Sequence, residues 1–310
     1  MSIVTAVIPC YNAAAFLADA LESIRAQTLP VAETLVVDDG STDDSIAIAA
    51  RFGARVLSTG GQRGPATARN LGARAAATPY VAFLDADDAW LPPHCETLIA
   101  LLQASPGAAA AFGRIRQLEP GGDIPIPRRR AILKEAALPE LLIDNPIPQS
   151  ATMVDRAKFL AAGGYREGMR HAEDYELWLR LAEQHPIVGS DAVTCRYRMH
   201  PDQATAAIPL MLQNAWEARL DSRARLQARG RFDADHSRML TLALQEDLRR
   251  AWASADGATL TLLLPFAGRL DEGPALERSI RARLRALPLR RLWLAVKSVS
   301  RSVLRQPPSR

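Results

Sequence analysis

Short apolar runs alternate along the first two hundred residues with stretches whose hydrophobic positions recur every three or four residues. Ile3 to Ile8 reads as a buried strand, and Pro9-Cys10-Tyr11-Asn12 as a turn whose Asn12 can cap the next helix. Phe16 or Leu17, Ala20 or Leu21, and Ile24 then keep helical spacing until Gln27 and Pro30 stop it. Thr34 to Val37 predicts a second strand. It ends in Asp38-Asp39-Gly40-Ser41-Thr42-Asp43-Asp44, where Ser41 and Asp44 have capping-box spacing ahead of a helix through Ile46 and Ile48. Arg55 to Leu57 is a short strand, Gly60, Gly61 and Gly64 form a loop, Ala66 to Ala77 is helical, and Tyr80 to Leu84 is again a strand. This alternation predicts a parallel sheet with right-handed crossovers, which brings the acids after Val37 and after Leu84 to one edge.

The pattern continues with a helix at Leu98 to Gln103, a strand at Ala108 to Phe112, a Gly-, Pro- and Arg-rich loop from Gln117 to Arg130, and a strand at Ser150 to Met153. A helix over Asp155 to Ala162 is broken by Gly163-Gly164. Glu173-Asp174 opens a strongly periodic helix through Ala182, with acids where the helix dipole favours them. Val193 to Tyr197 is a last strand, leading to His200. From Ile208 the chain turns to long Ala, Leu and Arg stretches at helical spacing. The expected division is therefore a catalytic domain over 1–207 and a helical region over 208–310.

The most pointed chemistry lies in Tyr80 to Asp88, an apolar strand that ends in Asp85, Asp87 and Asp88. Carboxylates crowded at a sheet edge repel one another and call for a cation, for which a hard divalent metal with oxygen ligands is one solution. A solvated acidic turn opening the next helix is the other. Neither GxxxxGK[ST] nor GxGxxG occurs, which removes P-loop and dinucleotide-binding readings.

Composition narrows the class further. Of 310 residues, 48% are hydrophobic and 23% charged, as in a globular protein. Three cysteines without metal-ligand spacing argue for a reducing compartment and against a disulfide framework. The first residues form a strand and carry no signal-peptide pattern, and no apolar run reaches the ~20 residues of a membrane span, so a cytoplasmic location is expected. The net charge of +4 is concentrated beyond Arg278, where no acid follows, so a nucleic-acid-binding face is not expected. Within 278–310, Leu284 to Leu304 sets leucines and Trp293 among arginines. Two readings stay open, peripheral contact with the cytoplasmic face of a membrane or packing on the protein with a solvated basic side.

Five stretches in order resemble glycosyltransferase family 2, inverting enzymes of the GT-A fold that use nucleotide-diphosphate sugars. They are Val7 to Asn12, Val36 to Asp43, Ala68 to Ala73, Phe83 to Asp88 and Glu173 to Arg180. The resemblance covers Ile3 to His200 and leaves out everything after Ile208. It implies a Rossmann-like, mostly parallel sheet flanked by helices, with a helical appendage at the C-terminal end.

It also implies roles. Pro9, Tyr11, Asn12 and Asp39 would hold the base and ribose, with Asp39 accepting from a pyrimidine N–H, which favours a UDP-sugar; an acid in a turn caps helices as readily. Arg69 would lie near base or phosphates, against a solvated helix position. Asp85-Ala86-Asp87 would be the DXD signature, Asp85 toward ribose and Asp87 on Mg²⁺ or Mn²⁺, while Asp88 caps the helix after Trp90. Asp174, beside Glu173, would be the general base toward a hydroxyl of a glycan or lipid-linked acceptor in polysaccharide biosynthesis at the cell envelope, although both acids also suit a helix N-terminus. His200 would reach the metal or diphosphate, or be a surface histidine. Trp178, Leu177 and Leu181 read as core. A non-catalytic sugar-nucleotide-binding module would not need Glu173-Asp174, and a nucleotidyltransferase would open with a glycine-rich basic loop that Pro9 to Asn12 does not supply.

Overall fold

The computed structural model describes residues 2–119, 122–125, 137–199 and 208–303. They fall into two compact units, Met1–Ala228 and Arg229–Arg310.

The first unit is built on a nine-stranded sheet. Its strands are β1 (Val4–Cys10), β2 (Glu33–Asp38), β3 (Arg55–Ser58), β4 (Tyr80–Phe83), β5 (Ala89–Trp90), β6 (Ala110–Glu119), β7 (Gly122–Pro125), β8 (Thr152–Asp155) and β9 (Ile187–Arg198). Their order is β3-β2-β1-β4-β8-β6-β9-β5, with β7 paired to β6. The helices of this unit are α1 (Leu17–Arg25), α2 (Ser45–Arg51), α3 (Pro65–Ala75), α4 (His94–Ala104), α5 (Ala137–Ile143), α6 (Arg156–Ala161), α7 (Glu173–Ala182) and α8 (Ile208–Ala228).

Strands β3, β2, β1 and β4 are all parallel, so the acids after β2 and β4 reach the same edge. β8 then runs antiparallel between β4 and β6, and β6 pairs β9 in parallel. β1 is apolar almost throughout because both its faces are covered. Val4, Ala6 and Ile8 join α1 and α4 in one core with Leu17, Leu21, Ile24, Leu98 and Leu102. Val7 points the other way, toward α3, where Gly72 leaves no room for a side chain: a Cβ there would overlap Val7 and approach Val37 Cγ2 at 3.2 Å. Each large aliphatic buried this way contributes roughly 1.5–3 kcal/mol.

Several elements differ from the sequence expectation. The first half of the Gln117 to Arg130 stretch is a β6–β7 hairpin, with Arg116 opposite Pro125, a place where an edge strand tolerates proline; residues 120–121 and 126–130 lie outside the described residues. The last strand begins at Ile187, six residues before the predicted Val193. The unit boundary falls after Ala228 and not after 207, because α8 is bound into the first unit. Its Arg225 pairs with the fully buried Glu183 at 2.7 Å, and its Arg219 donates to the carbonyls of Leu142 and Ile143 at 3.0 and 2.9 Å.

The second unit contains α9 (Ala234–Ala253), α10 (Gly257–Ala267) and α11 (Gly273–Val303). Asp233 and Asp256 cap α9 and α10 by accepting from the backbone of His236 and Thr259. Leu244, Leu248, Leu260, Leu263, Phe266 and Ile280 form its buried apolar positions. No described helix is long and apolar enough to cross a membrane.

Candidate active site

The loops at the carboxyl end of the parallel strands are stitched together by short polar side chains. Asp38 closes its own turn, accepting from the N–H groups of Gly40 and Ser41 at 3.2 and 3.0 Å, while Gly40 takes the left-handed φ of 88° this turn needs. Asn12 caps no helix. Its backbone is left-handed (φ 48°), its N–H donates to Ser41 Oγ, and its Oδ1 accepts from Thr42 N–H at 2.8 Å. The expected capping box is likewise replaced: Asp43 accepts from Ala14 N–H at 2.9 Å and from Ser45 N–H at 3.0 Å, so it ties the first loop to the start of α2.

Asp39 is buried and accepts from Thr59 Oγ1 at 2.7 Å, Arg63 N–H at 2.9 Å and Gly64 N–H at 2.8 Å. It anchors the loop ahead of α3. Tyr11 is half-exposed at the mouth, and Gln62 of that loop hydrogen-bonds its hydroxyl. Pro9, the penultimate residue of β1, pairs in register with Val37.

Each residue of the Arg69-Asn70-Leu71-Gly72 stretch that the structure ties down has a separate task. Gly72 admits α3 to the sheet. Asn70 clamps the backbone of Tyr165, donating to its carbonyl at 2.9 Å and accepting from its N–H at 2.8 Å. Arg69 is 4% exposed, so it is not a solvated helix position. It donates to Asp85 Oδ1 at 2.6 Å and to Glu173 Oε1 at 2.8 Å, with its guanidinium 5.5 Å from the centre of the Tyr165 ring. Burial works against its charge, but the two carboxylates outweigh it and hold Arg69 firmly protonated.

Asp85 is also fixed through its backbone, whose N–H donates to Ser150 Oγ at 3.2 Å. Ala86 is buried. Asp88 does not cap α4, whose N-cap is Pro93. It is 1% exposed and accepts from the backbone N–H of Arg198 at 2.9 Å, which fastens the end of β9 to this turn. Burial, then the charges of Asp85 and Asp87, push its carboxyl well above the usual range. Arg198 adds a donor to the Asp87 carbonyl at 2.9 Å and reaches Asp19 at 2.8 Å. His200 lies outside the described residues.

The second acid pair comes from the start of α7. Ala172 precedes it as its N-cap in the left-handed region (φ 59°), a conformation that costs a non-glycine residue about 1 kcal/mol. Glu173 is 9% exposed and engaged by Arg69. Asp174 accepts from the N–H of Tyr175 at 2.7 Å and from Asn145 Nδ2 at 3.2 Å. Burial and the neighbouring charge of Glu173 raise its pKa to about 7, against the opposing pull of Tyr175 N–H, Arg69 and Asn145. Trp178, Leu177 and Leu181 are fully buried core residues, as expected.

Sequence spacing brings forward none of Asn70, Asn145, Ser150 and Tyr165. Asn70 stands inside the family-like stretch Ala68 to Ala73, and its neighbour Gly72 is the one hint there that this face of α3 is packed and not solvated.

The strand order, and the two acid sets that meet over one buried arginine at the edge of the parallel strands, belong to a mixed α/β fold of GT-A type. Residues 5–160, half of the sequence, match glycosyl transferase family 2, and the chain belongs to that family. It is similar to an uncharacterized glycosyltransferase of Rickettsia felis (27% identical over 199 residues, 63% of this chain and 33% of that protein) and to one of Haemophilus influenzae (26% over 182 residues, 57% and 61%). The O-antigen biosynthesis protein RfbC of Myxococcus xanthus is 32% identical over 195 residues, 60% of this chain and 15% of that protein. The chain thus spans between a seventh and about three fifths of the length of these relatives. Among solved structures, Staphylococcus aureus TarS 1–349 in complex with UDP-GlcNAc superposes with a TM-score of 0.71 at 16% identity, covering 93% of this chain and 89% of that one. The mannosyltransferase PcManGT from Pyrobaculum calidifontis in complex with GDP-Man and Mn²⁺ gives 0.56 at 18% identity, covering 94% and 87%. At these identities the likeness is one of fold.

Proposed function

We propose that this chain transfers a sugar, with inversion, from a nucleotide-diphosphate donor to a hydroxyl of a glycan or lipid-linked acceptor. The observation that carries this reading is Arg69, buried between Asp85 of the strand-edge turn and Glu173 of the helix that supplies Asp174. Inversion needs a proton acceptor on the face opposite the leaving group, and the two acid sets come from different elements held at one point.

In this reading Tyr11 and Asp39 border the base and Pro9 and Asn12 shape the turn beneath it. Asp39 already accepts three hydrogen bonds, and a carboxylate has room for about four, so one base N–H completes it. That supports a UDP-sugar, the class bound by TarS in its UDP-GlcNAc complex. Asp85 and Ala86 lie toward the ribose. Asp174 takes the proton of the attacking hydroxyl, and its raised pKa suits a base working near neutral pH.

The carboxylates of the Asp85 to Asp88 turn fit a divalent cation such as Mg²⁺ or Mn²⁺. Asp85 and Asp87 both push Asp88 toward its neutral form, the mark of a turn with surplus negative charge. Among the described residues no three metal-ligating side chains cluster; Mg²⁺ in nucleotide sites is bound through one or two carboxylates together with substrate phosphates. Asp87 would hold it, with His200 as a second ligand. Such an ion, when bound, neutralises charge on the departing nucleoside diphosphate.

The basic, acid-free stretch 278–310 supports peripheral contact with an anionic membrane face, where a lipid-linked acceptor would lie. Deleting it should abolish sedimentation with anionic liposomes, and unchanged sedimentation would leave it to packing. The central test is a screen of nucleotide-sugars for thermal stabilisation with Mn²⁺, and then transfer or hydrolysis assays of the stabilising donor. Asp174→Asn should lose about 10²–10⁴-fold in rate; a near wild-type rate would overturn the assignment of the base.

A further inference from the structure

Asn145 sits two residues beyond α5, in the loop that leads to β8. Its surroundings leave its amide a single orientation. Oδ1 accepts from the N–H of Ile147 at 3.1 Å, so the NH₂ group is turned the other way and donates to Asp174 Oδ2 at 3.2 Å. Its own N–H is held by Asp144 Oδ1 at 3.0 Å, and Pro146 is next in the chain.

The loop is braced from two sides. The hydroxyl of Tyr175, the residue after Asp174, hydrogen-bonds the carbonyl of Leu141. Arg219 of α8, 3% exposed and packed 4.7 Å and 5.1 Å from the rings of Trp216 and Tyr175, donates to the carbonyls of Leu142 and Ile143. These are the carbonyls that a helix C-terminus leaves open. Asn145 therefore starts from a fixed point and reaches a carboxylate whose other oxygen is already held by the Tyr175 N–H.

We propose that Asn145 is a positioning residue for the proton-accepting carboxylate, holding the Asp174 side chain in one rotamer and steadying its ionised form with a neutral donor. This rests on the reading of Asp174 as the base. A cation in the same place would pair with Asp174 and compete with the acceptor for it. An amide donates once and leaves the remaining lone pairs of Asp174 to the incoming hydroxyl. The groups that face Asp174 are then Glu173 and burial on one side, and Arg69, Tyr175 N–H and Asn145 on the other.

The test observes the Asp174 carboxyl directly, by ¹³C NMR titration of the full chain carrying ¹³Cγ-labelled aspartate, with the Asp174 signal assigned by its loss in Asp174→Asn. Wild type should titrate near 7. Asn145→Ala removes a donor to the charged form and should move the midpoint up by about one unit. Asn145→Asp is isosteric, keeps the acceptor for Ile147 N–H and substitutes a like charge, so it should move the midpoint up at least as far while preserving the fold. A residue that serves only the loop would leave the midpoint where it is, and agreement of both variants with wild type to within about 0.2 unit would overturn the proposal. The readout needs no donor, so failure here is separate from failure of Asp174→Asn to lose transfer, which would sink the base and not the contact.

Discussion

Arg69 and Glu173 meet at 2.8 Å although 104 positions separate them in the chain, and the same guanidinium holds Asp85 at 2.6 Å. One buried cation therefore compensates an acid from each half of the site. Buried pairs of this kind are poor sources of net stability, yet removing one partner is costly because the other charge stays behind.

Arg69→Ala should accordingly destabilise the chain by about 3–5 kcal/mol. Arg69→Met combined with Glu173→Gln should recover part of that loss, because it removes charge from both sides. Urea denaturation of the two variants checks this; equal midpoints would mean that the ion pair is not where the cost arises.

Gly72→Ala should cost about 1–3 kcal/mol, since the added methyl meets Val7 and Val37 at the seat of α3 on the sheet. Gly72 lies one turn beyond Arg69, so a lifted helix also displaces the guanidinium. Donor-induced thermal stabilisation should fall along with the melting temperature, whereas an unchanged response at a lower Tm would confine the effect to packing.

The parallel half of the sheet was legible from β1, β2 and β4, because strands buried on both faces read as unbroken apolar runs that stop at acids. The start of α7 was legible for another reason: Glu173 and Asp174 open a strongly periodic helix with acids in the first turn, where the helix dipole favours them. The site's interior was not. Arg69 has the spacing of an ordinary charged helix residue, and the ring its guanidinium lies over at 5.5 Å, Tyr165, is 96 positions away and clamped by Asn70. Asp88 and Asn12 were expected as caps because Asp and Asn favour helix starts, but a nearer orphan donor, Arg198 N–H or Thr42 N–H, claims each. Local propensity gave way to backbone groups that only the tertiary fold brings into reach.

Asp88 separates charge from hydrogen bonding. Asp88→Ala should cost about 1–3 kcal/mol by leaving the half-buried Arg198 N–H without its Asp88 acceptor. Asp88→Asn keeps an oxygen for that N–H and removes one of three crowded carboxylates, so it should be at least as stable as wild type. Thermal melts of both decide it: equal losses would show that the charge, not the hydrogen bond, is what the β9 end requires.

Asp174 should weaken the fold it serves. Its pKa is raised from an ordinary 3.8 to about 7 by burial and by Glu173, so the folded chain holds this proton more tightly than the unfolded one. Linkage fixes the sign. Below about pH 4 the carboxyl is neutral in both states and costs nothing; as pH rises toward 7 the unfolded chain ionises first, and stability falls until both forms are charged. Asn mimics the neutral form at every pH. Asp174→Asn should therefore melt at nearly the wild-type temperature at pH 4, yet roughly 10 °C higher at pH 8, on the order of 4 kcal/mol for a shift of about three units. The same substitution removes the proposed proton acceptor, so the stabilised variant should be the inactive one. A Tm gap that is the same at both pH values would mean that the carboxyl does not titrate in this range, and would remove the electrostatic argument for Asp174 as a base near neutral pH.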